Sequence, residues 1–330
     1  VRFRVTAEGE GKPAPVAVLD RTLDVTRTED REWVDLDLPL DAARTALGGK
    51  GRLVFHTDVP DAAGAFPVWG DPTVLVPAGA RDRPPWNVLL VSLDTLRADR
   101  LGCSGNPRAT SPTLDRLARE GTFFPLAIAP SSWTLPSHAS LMTGLYACAH
   151  GLVTPQSGQR FAPGTRPLAA LLRARGYLTA AFTEDAFLEP SVFQPGFGTY
   201  RADAYATNRT KVEATVGAAG AWLRANAQSP FLLFVHTYQT HSPYNVPVSY
   251  RQLFTTYDTP EGPRPLGGAP GNLQELGTYD TAIRYTDDVF ATLLATMKDV
   301  GLDRHTIVVV VSDHGEAFWE HGHSGHGKAL

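Results

Sequence analysis

The sequence predicts a small antiparallel β-sandwich followed by an α/β domain, a mostly parallel sheet with helices on both faces. Three observations predict it. Residues 1–80 alternate apolar and polar side chains in short runs separated by Gly, Pro and Asp clusters, as sandwich or jelly-roll strands do. Asn87–Leu93 and Thr306–Val311 are near-continuous apolar runs, the mark of strands buried on both faces of a parallel sheet. Between them strand-like and helix-like segments alternate, which places helices on both sides of that sheet. At 330 residues the chain exceeds the usual single-domain size, so two domains are expected.

In chain order, Val1–Val5, Trp33–Leu38 and Arg52–Thr57 read as strands, and Val68–Pro72 as a closing turn before a last strand, Thr73–Val76. Trp33 and Trp69 are glycan-binding aromatics or core and interdomain packing. The first domain spans 1–80. Residues 81–86 are the linker, overlapping the Pro-rich run Pro77–Pro85, and the second domain spans 87–330. There Ser111 caps and Pro112 starts a helix that Gly121 ends. Pro167–Arg175 is a helix closed by Gly176 and followed by the strand Tyr177–Phe182. A small-residue helix, Thr210–Ala227, leads into the strand Phe231–His236. Tyr279–Val300 is a long amphipathic helix with Ile283, Phe290, Leu293, Leu294 and Met297 inward. Ser242–Gly277 lacks periodicity, and a loop of that length is expected to set substrate specificity.

Composition narrows the classes. With 43% hydrophobic and 19% charged residues the chain can build a full core. A net charge of −4 argues against a nucleic-acid partner. Two cysteines, Cys103 and Cys148, are too few for a disulfide framework. No run of about 18 apolar residues marks a membrane span. Residue 1 is Val rather than Met, which leaves room for a removed signal peptide or anchor.

The candidate chemistry centres on Trp133–Gly144. Pro136 fixes its own φ and biases Leu135 away from the helical region, so a helix is expected to begin at or just after Pro136. Thr134 then lies near its positive end, where free N–H groups favour an anion. Taken alone, the stretch could equally cap a buried helix. Two strand ends complete the picture, because open α/β sheets bind ligands at the carboxyl ends of their strands. Asp94 ends one apolar run, and Asp313-His314 ends the other. Two carboxylates, an imidazole and the Thr134 oxygen make a four-ligand set for a divalent cation.

At these residues the chain resembles the sulfatase-like branch of the alkaline phosphatase superfamily. Leu93–Asp99 falls on the family's first metal motif, Thr134-Leu135-Pro136-Ser137-His138 on the Cys/Ser-x-Pro-Ser-Arg signature, and Ser312–Glu316 on the second metal motif. The likeness runs from about residue 86 to the end. Sulfatases oxidise the signature cysteine to formylglycine, whereas this chain has Thr134 there, His138 in place of arginine, and Thr95 in place of a second Asp. The pattern looks more like the phosphoethanolamine and phosphoglycerol transferases and related phosphodiesterases. The last residues stop where the family normally continues, so a fragment at both ends is expected, from a periplasmic or extracellular protein.

The resemblance implies roles. Asp94, Thr134, Asp313 and His314 hold one divalent metal. Imidazole among the ligands favours Zn²⁺ or Mn²⁺ over Ca²⁺. His321 and His323 hold a second metal or form a solvated His-Gly loop. Thr134 is the nucleophile, with His241 contacting the substrate oxyanion or leaving group and His326 in phosphate binding or general acid work. Arg97, His138 and Lys328 bind substrate, although Arg97 could instead pair with Asp99. His236, at a strand end, reads as a satisfied core residue. The expected function is hydrolysis or transfer of a phosphate or phosphonate ester of a small molecule, lipid or glycan. A sulfatase is the alternative, and a glycan-binding protein with an inactive site is the alternative of another class.

Overall fold

The computed structural model describes the chain except residues 10–13, 25, 28–35, 37, 48–50, 60–68, 70–84, 155–157, 185–186, 203–211, 260–261, 266–270, 321 and 328–330, and side chains at 257–265, 271 and 272. Outside the described residues therefore fall the strand at Thr73–Val76, Trp33, the linker at 81–84, His321 and Lys328. By internal contacts the chain divides into two compact units, Val1–Ala80 and Arg81–Leu330.

The first unit contains β1 (Arg2–Glu8), β2 (Val16–Thr22), α1 (Asp41–Leu47) and β3 (Arg52–Asp58). The strands form an antiparallel sheet in the order β2-β1-β3. Period-two alternation sorts the faces of β1. Arg2, Arg4 and Glu8 form ion pairs with Asp20, Asp58 and Arg52 on one side, while Val5 and Ala7 are buried on the other. Trp69 packs edge-on against Phe3 and Phe55, with ring centroids 5.0 and 5.1 Å away, and its indole N–H donates to Thr57 Oγ1 at 3.0 Å. Its role is packing within this unit.

The second unit runs β4 (Asn87–Leu93), two single 3-10 turns (Ala98–Arg100 and Gly102–Ser104), α2 (Pro112–Glu120), α3 (Thr134–Thr143), α4 (Ala147–His150), α5 (Leu168–Arg173), β5 (Leu178–Thr183), α6 (Pro190–Phe193), β6 (Thr199–Ala202), α7 (Val212–Asn226), β7 (Phe231–Thr237), a hairpin β8 (Thr256–Thr259) and β9 (Gly262–Pro265), α8 (Gly271–Asp299), β10 (Thr306–Val311), β11 (Ala317–Phe318) and β12 (Ser324–Gly325). Five strands form one parallel sheet in the order β10-β4-β7-β5-β6. This is the expected fold class, with helices on both faces.

Alternate side chains of the central strand, β7, feed two separate cores. Phe231, Leu233 and Val235 join Leu89 and Val91 under α7 and α8, while Leu232 and Phe234 join Leu90 under α3, α5 and α6. All seven residues of β7 are buried, which explains its unbroken apolar sequence. Each such side chain contributes about 1.5–3 kcal/mol on burial, so the sheet centre is a rigid platform.

The register sets the site. Val311 of β10 pairs with Ser92 of β4, and Ser92 pairs with His236 of β7. Asp94 and Asp313, each two residues further on, therefore emerge side by side at the carboxyl edge. Among the described residues no helix is long and apolar enough to cross a membrane.

Candidate active site

Helix α3 begins at Thr134, two residues earlier than the proline suggests. Its first helical bond runs from the Ser137 N–H to the Trp133 carbonyl at 3.1 Å, so Pro136 sits in the first turn, where a missing N–H costs nothing. Each polar side chain of the turn has a separate task. Ser137 Oγ donates to the Asp313 carbonyl at 2.6 Å, fastening α3 to the end of β10. Leu135, Ala139 and Met142 fill the core beneath. Thr134 Oγ1, facing the strand ends, lies 3.3 Å from Asp94 Oδ2 and 3.4 Å from His314 Nε2.

Asp94, Asp313 and His314 offer ligand atoms that all lie within 4.8 Å of one another, and all three are buried. The carboxylates are held asymmetrically. Asp313 Oδ1 accepts backbone N–H groups from Thr95 at 3.1 Å and His314 at 2.8 Å. Asp94 Oδ2 faces Thr134 and His236 Nε2, both at 3.3 Å. The other oxygens, Asp94 Oδ1 and Asp313 Oδ2, are buried with no hydrogen-bond partner. Unpartnered buried carboxylate oxygens are costly unless a cation takes them. Burial pushes the Asp94 carboxyl up to about 6, and burial together with the Asp94 charge pushes Asp313 up to about 6. Burial lowers His314 and so favours the neutral imidazole that a metal requires. Two oxygens, a neutral imidazole and a hydroxyl fit a divalent cation.

Thr95 follows Asp94 in a left-handed conformation, φ 57°, uncommon for a β-branched residue and costing about 1–3 kcal/mol. Its hydroxyl donates to the Thr240 carbonyl at 2.6 Å, and its carbonyl accepts the Tyr279 hydroxyl at 2.7 Å. The strain is thereby held in place, and the Thr95 hydroxyl proton is committed elsewhere than the carboxylate pair.

Two further imidazoles flank the opening. The His326 ring lies 4.6 Å from His314 and 5.0 Å from His241. Burial alone would lower His326, but the hydrogen bond from its Nδ1 to Glu316 Oε1 at 3.1 Å raises it above the ordinary histidine value. His241 Nδ1 faces the Ser242 carbonyl at 2.6 Å, which fixes that nitrogen as the donor and leaves Nε2 free of the ring proton. Gly327 lets this loop close on α3, since a Cβ there would meet the Trp133 ring at 2.2 Å.

Not every sequence-assigned residue faces the opening. His138, expected to bind substrate, is fully buried, with Nδ1 at the Thr134 carbonyl (2.8 Å) and Nε2 at Ser92 Oγ (2.9 Å). Both nitrogens are spent inside the protein, which corrects that expectation. Arg97 makes the alternative contact: its guanidinium donates to Asp99, Glu320 Oε1 and the Glu316 carbonyl, and lies over the Phe318 ring. That ion-pair network leaves no fork for substrate. Among the described residues His323 joins no group of three potential ligands. His236, read as a core residue, touches Asp94, and Glu316, read only as part of a motif, holds His326. The signal for both was a polar group at a strand end or beside a metal motif, which periodicity cannot weigh.

Comparison with known proteins bears on the family and the fold. The Sulfatase family model matches residues 86–330. The ulvan-active sulfatase of Formosa agariphila is 27% identical over 261 residues, covering 70% of this chain and 50% of that protein. The phosphonate monoester hydrolase of Agrobacterium radiobacter superposes with a TM-score of 0.60 at 21% identity, covering 74% of this chain and 66% of that one. The C-terminal periplasmic domain of EcEptC from Escherichia coli, in complex with Zn, gives 0.58 at 19% identity, covering 74% and 69%. At these identities the two structures establish a shared, alkaline-phosphatase-like fold. The chain spans about half the length of the Formosa sulfatase, and it belongs to the sulfatase family.

Proposed function

We propose that the protein is a metal-dependent hydrolase of phosphate or phosphonate esters with Thr134 as its nucleophile. The observation that carries this reading is the Thr134 hydroxyl at the start of α3, 3.3 Å from Asp94 Oδ2 and 3.4 Å from His314 Nε2. A divalent cation held by Asp94, Thr134, Asp313 and His314 would neutralise the ester oxyanion and acidify the hydroxyl. Thr134 Oγ1, its proton released to solvent, attacks phosphorus in line as the bond to the leaving oxygen breaks. His326, whose pKa Glu316 raises, is placed to give its Nε2 proton to that oxygen. His241 Nε2 then takes a proton from the water, or acceptor alcohol, that resolves the phosphothreonine.

The named relatives favour a second reading, sulfate ester hydrolysis. Chemistry ranks it lower. Formylglycine is a geminal diol whose second hydroxyl expels sulfate by C–O cleavage. A threonine ester lacks that route and must be cleaved at the central atom, which phosphorus tolerates and a sulfate monoester on an alkyl oxygen resists. The substrate is a small-molecule, lipid or glycan ester, and a periplasmic or extracellular site of action suits it. Thr134→Ala should abolish phosphoesterase turnover, by about 10³-fold or more, while retaining weakened cation binding. Intact-mass trapping with a slow phosphodiester should place a phosphoryl adduct on the Thr134 peptide. Faster turnover of aryl sulfates than of any phosphoester by the wild type would overturn the ranking.

A further inference from the structure

His236 stands outside the catalytic steps above, yet it is fully buried against Asp94. Rings enclose it: His138 edge-on at 4.7 Å, Tyr238 edge-on at 4.6 Å and Phe234 stacked at 6.4 Å. Its Nδ1 is buried with no hydrogen-bond partner, while Nε2 faces the Asp94 carboxylate at 3.3 Å. An orphaned N–H donor costs more than an orphaned lone pair beside a waiting carboxylate, so the ring proton belongs on Nε2.

The two carboxylates differ in what orients them. Two backbone N–H groups hold Asp313 Oδ1 and do not change during a reaction. Among the described residues only side chains hold Asp94 Oδ2: the Thr134 hydroxyl and His236. When Thr134 acts as the nucleophile it gives up its proton, and its hydrogen bond to Asp94 goes with it. His236 is then the one donor left.

We infer that His236 is a positioning residue for Asp94: its Nε2–H holds Oδ2 through every stage of the Thr134 cycle, so that Oδ1 stays presented to the divalent cation. The inference rests on the cation site of the proposed function and adds a residue that site assignment by motif does not contain. Hydrogen bonds to ligating carboxylates are worth about 10- to 100-fold in metal affinity.

Calorimetric titration of the whole protein with Mn²⁺ tests it, folding being checked by near-ultraviolet circular dichroism. His236→Phe keeps a ring against Tyr238 and His138 but removes the donor, and is expected to weaken Mn²⁺ binding about 10- to 100-fold. His236→Gln removes the ring but keeps an N–H at the reach of Nε2, and is expected to bind Mn²⁺ close to wild type. In a Thr134→Ala background the loss from His236→Phe should grow, because Asp94 then has neither side-chain donor. If His236→Phe does not fold, His236→Met takes its place. Equal losses for the Phe and Gln variants would reduce His236 to a space-filling role and overturn the inference. So would wild-type affinity in His236→Phe. A wild-type protein that binds no Mn²⁺ would instead bring down the cation site itself, and this inference with it.

Discussion

Asp94 and Asp313 are the groups on which pH should act most strongly. Burial pushes Asp94 up to about 6, burial together with the Asp94 charge pushes Asp313 up to about 6, and in the folded state they titrate as a pair. Because these values lie above the ordinary carboxylate range, the cation-free protein gains stability from the pair at low pH and loses it as pH rises through about 6. A cation reverses the sign, since it binds the ionised forms and competes with protons for the same oxygens. Divalent-cation affinity should therefore fall about 10- to 100-fold between pH 7 and pH 5, one factor of about ten for each carboxylate that must lose a proton. Calorimetry at several pH values, in buffers of different ionisation enthalpy, reads both the affinity and the proton release. An affinity flat across that range would show that these carboxylates are not the ligands. His138 and His236 should contribute no charge in this window, because burial lowers them to about 4 and about 3.

At the scale of elements, the parts that bear chemistry are held by contacts distant in sequence. The N-terminus of α2 shows this. Ser111 sits at the expected cap position, but its hydroxyl bonds Asp115 rather than a helix N–H. Asp287, from α8, instead accepts the N–H groups of Thr113 and Leu114 at 2.8 and 2.9 Å. Asp287→Ala leaves two buried donors unpaired and should destabilise the protein by about 1–3 kcal/mol, seen as a lowered denaturant midpoint with little change in KM. The helix was legible in sequence from Pro112 and Gly121, and its true cap was not, because the cap comes from a residue more than 170 positions away. The same division holds elsewhere. The apolar runs marked the burial of β4 and β7. But β10, at the edge of the five-stranded sheet, leaves Ile307 and Val309 exposed, against the expectation that both its faces are covered. β1 and β3 were marked as strands by alternation. β6, four residues long, was too short to read, while β2 and α1, as long as β1 and β3, carry no comparably clear apolar pattern. In the site, strand-end carboxylates and the Thr-x-Pro-Ser turn carried a local signal. That His138 and Arg97 turn away from the opening depended on Ser92, Asp99 and Glu320, partners that periodicity does not reveal.

For the molecule as a whole, the division into Val1–Ala80 and Arg81–Leu330 has a thermodynamic consequence. Each unit has its own hydrophobic contacts: Val5, Ala7 and the Trp69 cluster in one, and the two faces of the five-stranded sheet in the other. Units with separate cores can unfold in separate transitions, and a ligand stabilises only the unit that binds it. The paired carboxylates, His314 and Thr134 all lie in the second unit. A saturating divalent cation, at about 100 times its Kd, adds about 2.7 kcal/mol to that unit and nothing to the first. Differential scanning calorimetry should then show two transitions, of which the larger moves up with Zn²⁺ or Mn²⁺ and the smaller stays fixed. Chelation should return the larger to its starting temperature. The assignment follows from size, because unfolding enthalpy scales with residue number and the second unit is about three times the first. A cation that raised both transitions together would show that the units unfold cooperatively, and that the first 80 residues contribute to the stability of the site.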